Sequence, residues 1–305
     1  MKRLVLIDGH AILHRAYYAF PATLKTRRGE LVNAVYGFTR MLLKVISDLN
    51  PDYIAVAFDT AKPTFRHTEY VGYQVQRPRM ESELKDQIER IHEVVRALNI
   101  PIFEVEGYEA DDVIGTLANQ AVKKKAETII VTGDKDMLQL VETRVKVYAP
   151  KKGFSQTVLF GPKKVKEELG ITPSQIVDYK GLAGDTSDNY PGVPGIGPKT
   201  ATDLLSRFKS LEQIYKNLDK VTPRVAKILA EGVESAGLSQ KLARIVIDVP
   251  IKLNLKACRV HDYDHEKARR LFEELEFKSL IKKLPGIEEE KKEKKNPKNE
   301  QMKLV

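Results

Sequence analysis

The sequence predicts an α/β fold built on a parallel sheet, followed by a second half made of helices. In the first 160 residues, short apolar runs alternate with segments whose apolar residues recur at helical spacing. Strands that alternate with helices are typical of a parallel sheet covered on both faces. From about residue 161 onward, helical patterns follow one another and the sequence offers no convincing strand.

The first half is predicted to contain four buried strands, with helices between them and a short edge element after them. The predicted strands cover 4–8, 53–59, 100–105 and 128–133, the helices cover 33–49, 81–99 and 110–124, and the edge element covers 145–149 and 157–160. The segment between the second strand and residue 81 is basic, aromatic and weakly periodic. We expect it to be a partly helical excursion from the sheet, since long irregular insertions often have a function.

The second half is predicted to be a helical subdomain with a charged tail. The predicted helices cover 162–169, 173–181, 198–208, 210–217, 222–235, 238–247 and 264–276. Residues 286–305 are charged and lack a core pattern, so we expect a linker or a disordered tail. The chain is therefore predicted to divide into an α/β core (1–160), a helical subdomain (161–285) and the tail.

Composition narrows the class of protein. The sequence has no apolar stretch of about 18 residues or more, the length that a membrane span needs. The apolar run near the start is interrupted early, by Asp8, which indicates a first strand and not a signal peptide. The single cysteine, Cys258, rules out a disulfide framework and a cysteine zinc site and fits a reducing cytoplasm. A net charge of +9 with a pI of about 9.3 is compatible with a polyanionic partner.

Acidic residues follow each predicted strand of the first half. Parallel strands direct their carboxyl ends to one edge of the sheet, where such folds bind ligands. Seven carboxylates are therefore expected to converge on one cleft: Asp8, Asp59, Glu109, Asp111, Asp112, Asp134 and Asp136.

The chemistry of these carboxylates predicts bound metal ions. The histidines lack paired-ligand spacing and are interpreted as packing or surface groups, so the ligands would be oxygens, which select Mg²⁺ or Mn²⁺. Seven carboxylates exceed the need of one octahedral ion. Two ions about 3.5–4 Å apart would account for them, and phosphodiester hydrolysis uses that arrangement.

A second acidic stretch, "GLAGDTSDNYPGVPGIGPKTATDLL" (181–205), adds Asp185 and Asp188 before a run of glycines and prolines. This run nearly spells a phosphate loop, but Pro198 precedes Lys199 and no buried strand leads into it, so we reject nucleotide binding. The pattern favours a hairpin between helices (184–200) whose backbone N–H groups grip nucleic-acid phosphates; a plain interhelical turn is the alternative. The predicted DNA contacts here are Lys180, Gly192, Gly195, Gly197, Lys199 and Thr200, with Arg207 as basic support.

Six motifs closely resemble, in the same order, those of the 5′-nuclease domain of bacterial DNA polymerase I and its stand-alone homologues. They are "VLIDG", "NAVYGFTRML", "TFRH", "EGYEADDVIGTLA", "VTGDKDMLQLV" and "DYKGLAGDTSDNYPGVPGIGPKTA". The resemblance runs from residue 3 to about 285. It implies a PIN or flap-endonuclease-like core, a helical arch at about 60–90 and a helix–three-turn–helix motif. It also implies a 5′–3′ exonuclease and 5′-flap endonuclease of replication and repair.

The resemblance further implies cofactors and partners. Two Mg²⁺ (or Mn²⁺) ions would bind the nine acids, Asp8 through water, and K⁺ would bind at the helix–three-turn–helix. The expected partner is DNA with a 5′ flap, a nick or a primer end, and RNA primers are also implied substrates. The protein is expected to be a monomer in the cytoplasm, associated with the nucleoid, and the resemblance also allows it to be continuous with polymerase domains.

The arch departs from the family pattern, tyrosine–lysine–x–x–arginine. Tyr73 and Arg77 match, but Gln74 replaces the lysine. An amide cannot neutralise developing charge, and losing such a group costs on the order of 10²–10³ in rate elsewhere. We therefore expect a slower, metal-competent nuclease, in which Arg66 or Arg79 compensates by contacting the DNA.

Three other functions stay open at this point. Gln74 favours a junction protein that binds without cleaving, whereas the complete set of acids opposes it. A ribonuclease of the related small α/β fold would normally lack the helical half. A phosphatase-like Mg²⁺ hydrolase would leave the basic arch and the hairpin unexplained.

A second departure from the family, His10 in "DGH", is expected only to repack its loop. Tyr17, Tyr18 or Tyr73 could stack on a freed base.

Overall fold

The computed structural model describes residues 2–78, 80–152, 156–260 and 262–285. Arg79, which we expected to contact DNA, and the tail from residue 286 lie outside the described residues. No helix within the described ranges is long and apolar enough to cross a membrane.

The first half forms a six-stranded sheet in the order β3-β2-β1-β4-β5-β6. Strands β1 to β5 run parallel, and β6 pairs antiparallel with β5 at the edge, which confirms the predicted sheet. β3 is shorter than the predicted strand at both ends, and at its start Pro101 has no N–H to donate to a ladder. The strands are β1 (Arg3–Asp8), β2 (Tyr53–Ala57), β3 (Ile102–Phe103), β4 (Glu127–Val131), β5 (Val145–Lys152) and β6 (Gln156–Phe160).

The two faces of the sheet bury different sets of helices. Val5 and Ile7 of β1 face one core, whereas Leu4 and Leu6 face the other, as the alternation of side chains along a strand requires. The first core is covered by α1 (Gly9–Ala19), α2 (Asn33–Leu49), α5 (Ile88–Ala97), α13 (His265–Glu274) and α14 (Lys278–Ile281). The second is covered by α6 (Ala110–Lys123) and by the helices that follow the sheet.

The insertion segment, residues 60–80, contains one short helix, α3 (Phe65–Glu69), followed by turns. The helix predicted over 81–99 is divided into α4 (Ser82–Lys85) and α5. Between them lies Gln87, whose buried side-chain oxygen accepts the Ala34 N–H at 2.9 Å. The expected helical arch is thus a short helix and turns in the described residues.

The helical half contains α7 (Pro162–Leu169), α8 (Ile176–Ala183), α9 (Pro198–Phe208), α10 (Leu211–Lys216), α11 (Pro223–Glu231) and α12 (Val233–Ala243). The prediction of one helix over 238–247 is wrong beyond Ala243, where the chain becomes extended. Residues 265–284, which we assigned to the helical subdomain, pack into the first core through side chains such as Phe272 and Phe277.

The extended chain after α12, residues 244–253, forms a strap along α6. Its backbone N–H groups bond to side chains of α6: Val246 to Asp112 at 2.8 Å, Val249 to Thr116 at 3.1 Å and Leu253 to Gln120 at 2.8 Å. Residues four apart share one face of a helix, so α6 presents a row of polar side chains to the strap. Three backbone N–H groups of the strap thereby have acceptors without a neighbouring strand.

Substituting Gln120 tests how far the strap depends on these side chains. Its amide also donates to the Ile251 carbonyl at 2.8 Å, so Gln120→Ala removes two bonds from partly buried partners. We expect the free energy of unfolding to fall by about 1–3 kcal/mol, as measured by urea denaturation. Asn119→Ala is the control, because it removes one exposed bond at 3.3 Å and should cost about 0.5 kcal/mol or less. Equal losses in the two variants would contradict this account of the strap.

Candidate metal centre and DNA interface

The carboxyl edge of the sheet collects the acids that follow β1, β2 and β4. Asp8 ends β1 and caps α1, and its carboxylate accepts the Ala11 N–H at 2.9 Å and the Thr132 hydroxyl at 2.7 Å. The Thr132 hydroxyl oxygen in turn accepts the Asp134 N–H at 2.9 Å. Burial raises the pKa of Asp8 to about 7. Thr132 therefore ties the ends of β1 and β4 together beneath the cleft.

The acid that follows β2, Asp59, lies against the N-terminus of α6. Its carboxylate accepts the Ala110 N–H at 2.7 Å, where the positive end of the helix favours an anion. Its own N–H donates to Nδ1 of His10 at 3.0 Å. Because Nδ1 is the acceptor, the ring carries its proton on Nε2, and burial lowers the pKa of His10. His10 thus fixes the loop after β2, in line with the packing role that we expected.

Glu109 and Asp111 stand at the start of α6, with Glu109 as its N-cap. Glu109 accepts the Tyr73 hydroxyl at 3.3 Å, and burial raises its pKa to about 7. Burial also raises the pKa of Asp111, and the charges of Asp8, Asp134 and Glu109 add to this shift. Carboxylates crowded in this way are a donor set that a divalent cation fits, since its charge would offset their repulsion.

A second group of acids, Asp136, Asp185 and Asp188, comes from the turn after β4 and from the glycine hairpin. Each offers a carboxylate oxygen, and these oxygens lie within 4.8 Å of one another. The Lys180 ammonium contacts both Asp136 and Asp185. Burial raises the pKa of Asp136 to about 6. For Asp185, burial acts in the same direction, but the Lys180 ammonium and the backbone N–H groups of Ser187 and Asp188 together outweigh it and lower the pKa.

Glycines set the position of Asp185 and Asp188. Asp185 and Tyr190 exchange backbone hydrogen bonds of 2.9 and 3.0 Å, and Asp188 lies in the loop between them. Gly184 and Gly192 flank this pair at close range: Gly192 has φ of +62°, and a Cβ there would lie 2.2 Å from the Gly184 nitrogen. The chain can therefore turn back toward the cleft only if a residue without a side chain occupies this position.

The insertion segment brings Tyr73 and Gln74 to this cluster. Gln74 is left-handed (φ +54°), its N–H donates to the Asp188 carbonyl at 2.9 Å, and its side-chain amide donates to the Asp188 carboxylate at 2.9 Å. Tyr73 is 3% exposed and packs against Tyr190. Arg77 is exposed on the same segment, and its charge acts on Asp188.

Several residues predicted to contact metal or DNA have other partners. Asp112 is fully buried and pairs with Arg66, which is 2% exposed, so neither lies on a surface that DNA can reach. Lys180 is engaged by the two acids described above. Gly192 is buried, and its N–H donates to the Ser239 hydroxyl at 3.0 Å.

The remaining hairpin residues are placed differently. Gly195, Gly197 and Lys199 are exposed at the start of α9, and Thr200 is half-buried. These residues, unlike Gly192, lie where a phosphate could reach them.

Thr132 and the pairing of Arg66 with Asp112 were not predicted from the sequence. The sequence signal for Thr132 is its position, a polar residue between the apolar run of β4 and Gly133. The structure shows that it is fully buried there. Arg66 gave no local signal, because its partners lie 46 and about 176–178 positions away along the chain.

Two family models match the chain. One is described as "5'-3' exonuclease, N-terminal resolvase-like domain" and matches residues 3–170; the other, "5'-3' exonuclease, C-terminal SAM fold", matches residues 171–266. DNA polymerase I of Chloroflexus aurantiacus is 46% identical over 291 residues, which cover 93% of this chain and 31% of that protein. DNA polymerase I of Bacillus caldotenax is 44% identical over 293 residues, covering 95% and 33%. The chain spans about a third of the length of these relatives.

Solved structures share the fold at low sequence identity. A bacteriophage T5 flap endonuclease in a pseudo-enzyme-product complex with DNA and metal ions has a TM-score of 0.66 at 17% identity, over 79% of this chain and 89% of that one. The catalytic core of Rad2 in complex with DNA substrate has a TM-score of 0.56 at 15% identity, over 93% and 91%. These likenesses support the α/β core with its helical second half.

Metal binding should be visible in the thermal stability of the protein. We expect Mg²⁺ or Mn²⁺ to raise the melting temperature, by an amount equivalent to about 2.7 kcal/mol at a hundred times the dissociation constant. Asp111→Asn should raise the melting temperature measured in chelator, since it removes one of the crowded charges, and should reduce the response to metal. Glu212→Gln, an equal charge change at an exposed position, is the control for scanning calorimetry. A flat response of the wild-type protein to both ions would count against the metal centre.

Proposed function

This chain belongs to the 5′–3′ exonuclease family, and from that premise we propose that it is a divalent-metal-dependent 5′ nuclease. It would hydrolyse phosphodiester bonds at 5′ flaps and nicks in DNA and in RNA primers. The observation that carries the proposal is the group of carboxylate oxygens from Asp136, Asp185 and Asp188, which lie within 4.8 Å of one another beside the acids of α6. Roles in replication and repair, and continuity with polymerase domains, are parts of this proposal.

Two sets of ligands would hold two Mg²⁺ or Mn²⁺ ions. One set is Asp136, Asp185 and Asp188, with Asp134 beside it; the other is Asp59, Glu109 and Asp111, with Asp8 acting through water. A donor set made of oxygens favours these ions on chemical grounds, although a T5 5′-exonuclease structure carries zinc. When bound, such a pair of ions supplies hydroxide near neutral pH and stabilises the leaving oxygen.

The chain's own groups would orient the ligands and the phosphate. The Lys180 ammonium neutralises part of the charge of Asp136 and Asp185, which keeps the two carboxylates together. The Gln74 amide holds one oxygen of Asp188, and the other oxygen, which lies 3.5 Å from the Tyr73 hydroxyl, is the one that would bind a metal ion. Arg77, exposed beside this group, is the cation that would contact the scissile phosphate.

The hairpin would bind duplex DNA through its backbone. The exposed Gly195, Gly197 and Lys199 lie at the N-terminus of α9, where N–H groups and the helix dipole attract phosphate. A K⁺ ion would bind between the hairpin and the phosphate backbone of the DNA. Contacts of this kind position DNA without reading its sequence. The ring of Tyr18, which is 70% exposed, is available to stack on an unpaired base.

Cleavage of a labelled 5′-flap substrate tests the proposed function. We expect cleavage with Mg²⁺, none with a chelator, and a loss on the order of 10³ for Asp111→Asn, because an acid of the metal set is replaced. Glu212→Gln should cleave like the wild-type protein.

A binding-only junction protein is the second candidate, and Gln74 in place of the expected cation favours it. Tight binding of the flap with no products at high protein concentration would support this candidate and refute the nuclease.

The position of Gln74 gives a separate prediction. Gln74→Lys should raise the single-turnover cleavage rate by roughly 10-fold to 10²-fold, since an ammonium beside Asp188 can also neutralise charge on the phosphate. Gln76→Lys adds the same charge at an exposed position two residues along, and should have little effect. No gain from Gln74→Lys, or an equal gain from both, would refute the interpretation of this position.

A further inference from the structure

Arg66 is buried where three parts of the chain meet. Its Nε donates to the Leu242 carbonyl at 2.9 Å, one terminal nitrogen donates to Asp112 at 2.7 Å, and the other donates to Asp112 at 2.8 Å and to the Arg244 carbonyl at 2.8 Å. The first terminal nitrogen also lies 3.3 Å from Oε2 of Glu109. The planar guanidinium has five donors in fixed directions, and each of its three nitrogens has an acceptor here.

Asp112 is saturated in the same way. One carboxylate oxygen accepts Arg66 and the Val246 N–H, at 2.8 Å each; the other accepts Arg66 and the Glu109 N–H, at 2.7 and 3.1 Å. Two hydrogen bonds to each oxygen use about all the lone-pair positions of a carboxylate. Asp112 is also 0% exposed. A metal ion could bind it only if it gave up one of these partners.

The pair joins the elements that build the proposed site. Arg66 lies on α3, at the base of the segment that carries Gln74 and Arg77, and Asp112 lies in the first turn of α6 beside Glu109. The carbonyl acceptors of Arg66 lie at the end of α12 and the start of the strap. α12 also carries Ser239, which holds Gly192 of the hairpin at 3.0 Å.

We propose that the Arg66–Asp112 pair is a positioning device that fixes Glu109, the insertion segment and the end of α12 relative to one another, and that Asp112 is not a metal ligand. This inference rests on the proposed function, because it assigns roles around the same metal site. Asp112 accepts the Glu109 N–H at 3.1 Å, and Arg66 lies 3.3 Å from the Glu109 carboxylate, so the two together restrict the orientation of that carboxylate. Groups that orient a metal ligand from behind typically change metal affinity 10- to 100-fold when they are substituted.

Arg66→Lys distinguishes the two roles that Asp112 could have, positioning Glu109 or binding metal, because the two roles predict opposite effects on Mn²⁺ affinity. The lysine keeps a positive charge but loses the fork that binds both oxygens of Asp112. If Asp112 positions Glu109, Mn²⁺ binding measured by electron paramagnetic resonance on the DNA-free protein should weaken roughly 10- to 100-fold. If Asp112 is a metal ligand, release from Arg66 should leave Mn²⁺ affinity unchanged or raise it, and that result would overturn the proposal.

Arg90→Lys is the matched control. Arg90 also has several acidic partners, Glu30, Glu93 and Glu274, at 2.7–2.8 Å, but it lies on α5 away from the cleft. Its substitution should leave Mn²⁺ affinity unchanged, and an equal loss in both variants would overturn the proposal. In flap cleavage, Arg66→Lys should lower kcat with little change in KM for DNA, and excess Mn²⁺ should restore kcat.

A structural measurement on the wild-type protein settles the case in which Arg66→Lys fails to fold. In crystals soaked with Mn²⁺, Asp112 should keep both bonds to Arg66, and an Asp112 oxygen found in the coordination sphere would overturn the proposal. If the wild-type protein binds no Mn²⁺ at all, the proposed function fails and this inference fails with it. If the wild-type protein binds Mn²⁺ and Arg66→Lys binds it equally well, the inference alone fails.

Discussion

The crowding of carboxylates at one edge of the sheet is the constraint on which the rest of the structure depends. Asp8, Glu109 and Asp111 each have a raised pKa, and burial is the first cause in every case, with neighbouring carboxylates adding to it. Such a cluster opposes folding unless cations or oriented dipoles offset it. The chain supplies the N-terminus of α6 to Asp59 and the Thr132 hydroxyl to Asp8.

The chain also supplies its own cations, but it distributes them unevenly. Arg66 neutralises Asp112, and Lys180 lies between Asp136 and Asp185. The neighbours that act most strongly on Asp111 are acids, namely Asp8, Asp134, Glu109 and Asp59. The excess negative charge therefore falls at the start of α6, and a metal ion bound there would gain most from the cluster. Those acids that have cationic partners are held in fixed orientations by them, so the cleft is partly organised before any ion binds.

The parts of the fold that the sequence predicted are those with a local signal. The apolar runs of β1, β2 and β4, the convergence of their terminal acids and the hairpin acids Asp185 and Asp188 all follow from short patterns. The strap along α6 could not be predicted, because three of its backbone N–H groups bond to Asp112, Thr116 and Gln120 of a helix distant in sequence. The prediction of a helix there treated apolar residues as a helical face, whereas their contacts are with the side of α6.

Motifs likewise identified residue types without their partners. The resemblance placed Asp112 among the metal ligands, and Arg66 was expected to contact DNA in compensation for Gln74. Only the folded chain brings them together, across 46 positions, in a site that excludes DNA. A motif match gives the type and the position of a residue in the sequence. It does not show whether that residue binds metal, contacts DNA or holds another side chain in place.

The hairpin shows why metal binding and DNA binding would be hard to separate in this chain. Asp185 and Asp188 lie within a few residues of Gly192, and Gly192 is held by Ser239 of α12. The Leu242 carbonyl of the same helix accepts the Nε–H of Arg66. The exposed glycines at the start of α9 follow directly in sequence. The distance between a bound phosphate and the carboxylates is therefore set by a short, close-packed stretch of backbone. Gly192 packs so closely on Gly184 that a Cβ there would lie 2.2 Å from the Gly184 nitrogen, so a shift of this glycine segment would also displace the turn carrying Asp185 and Asp188.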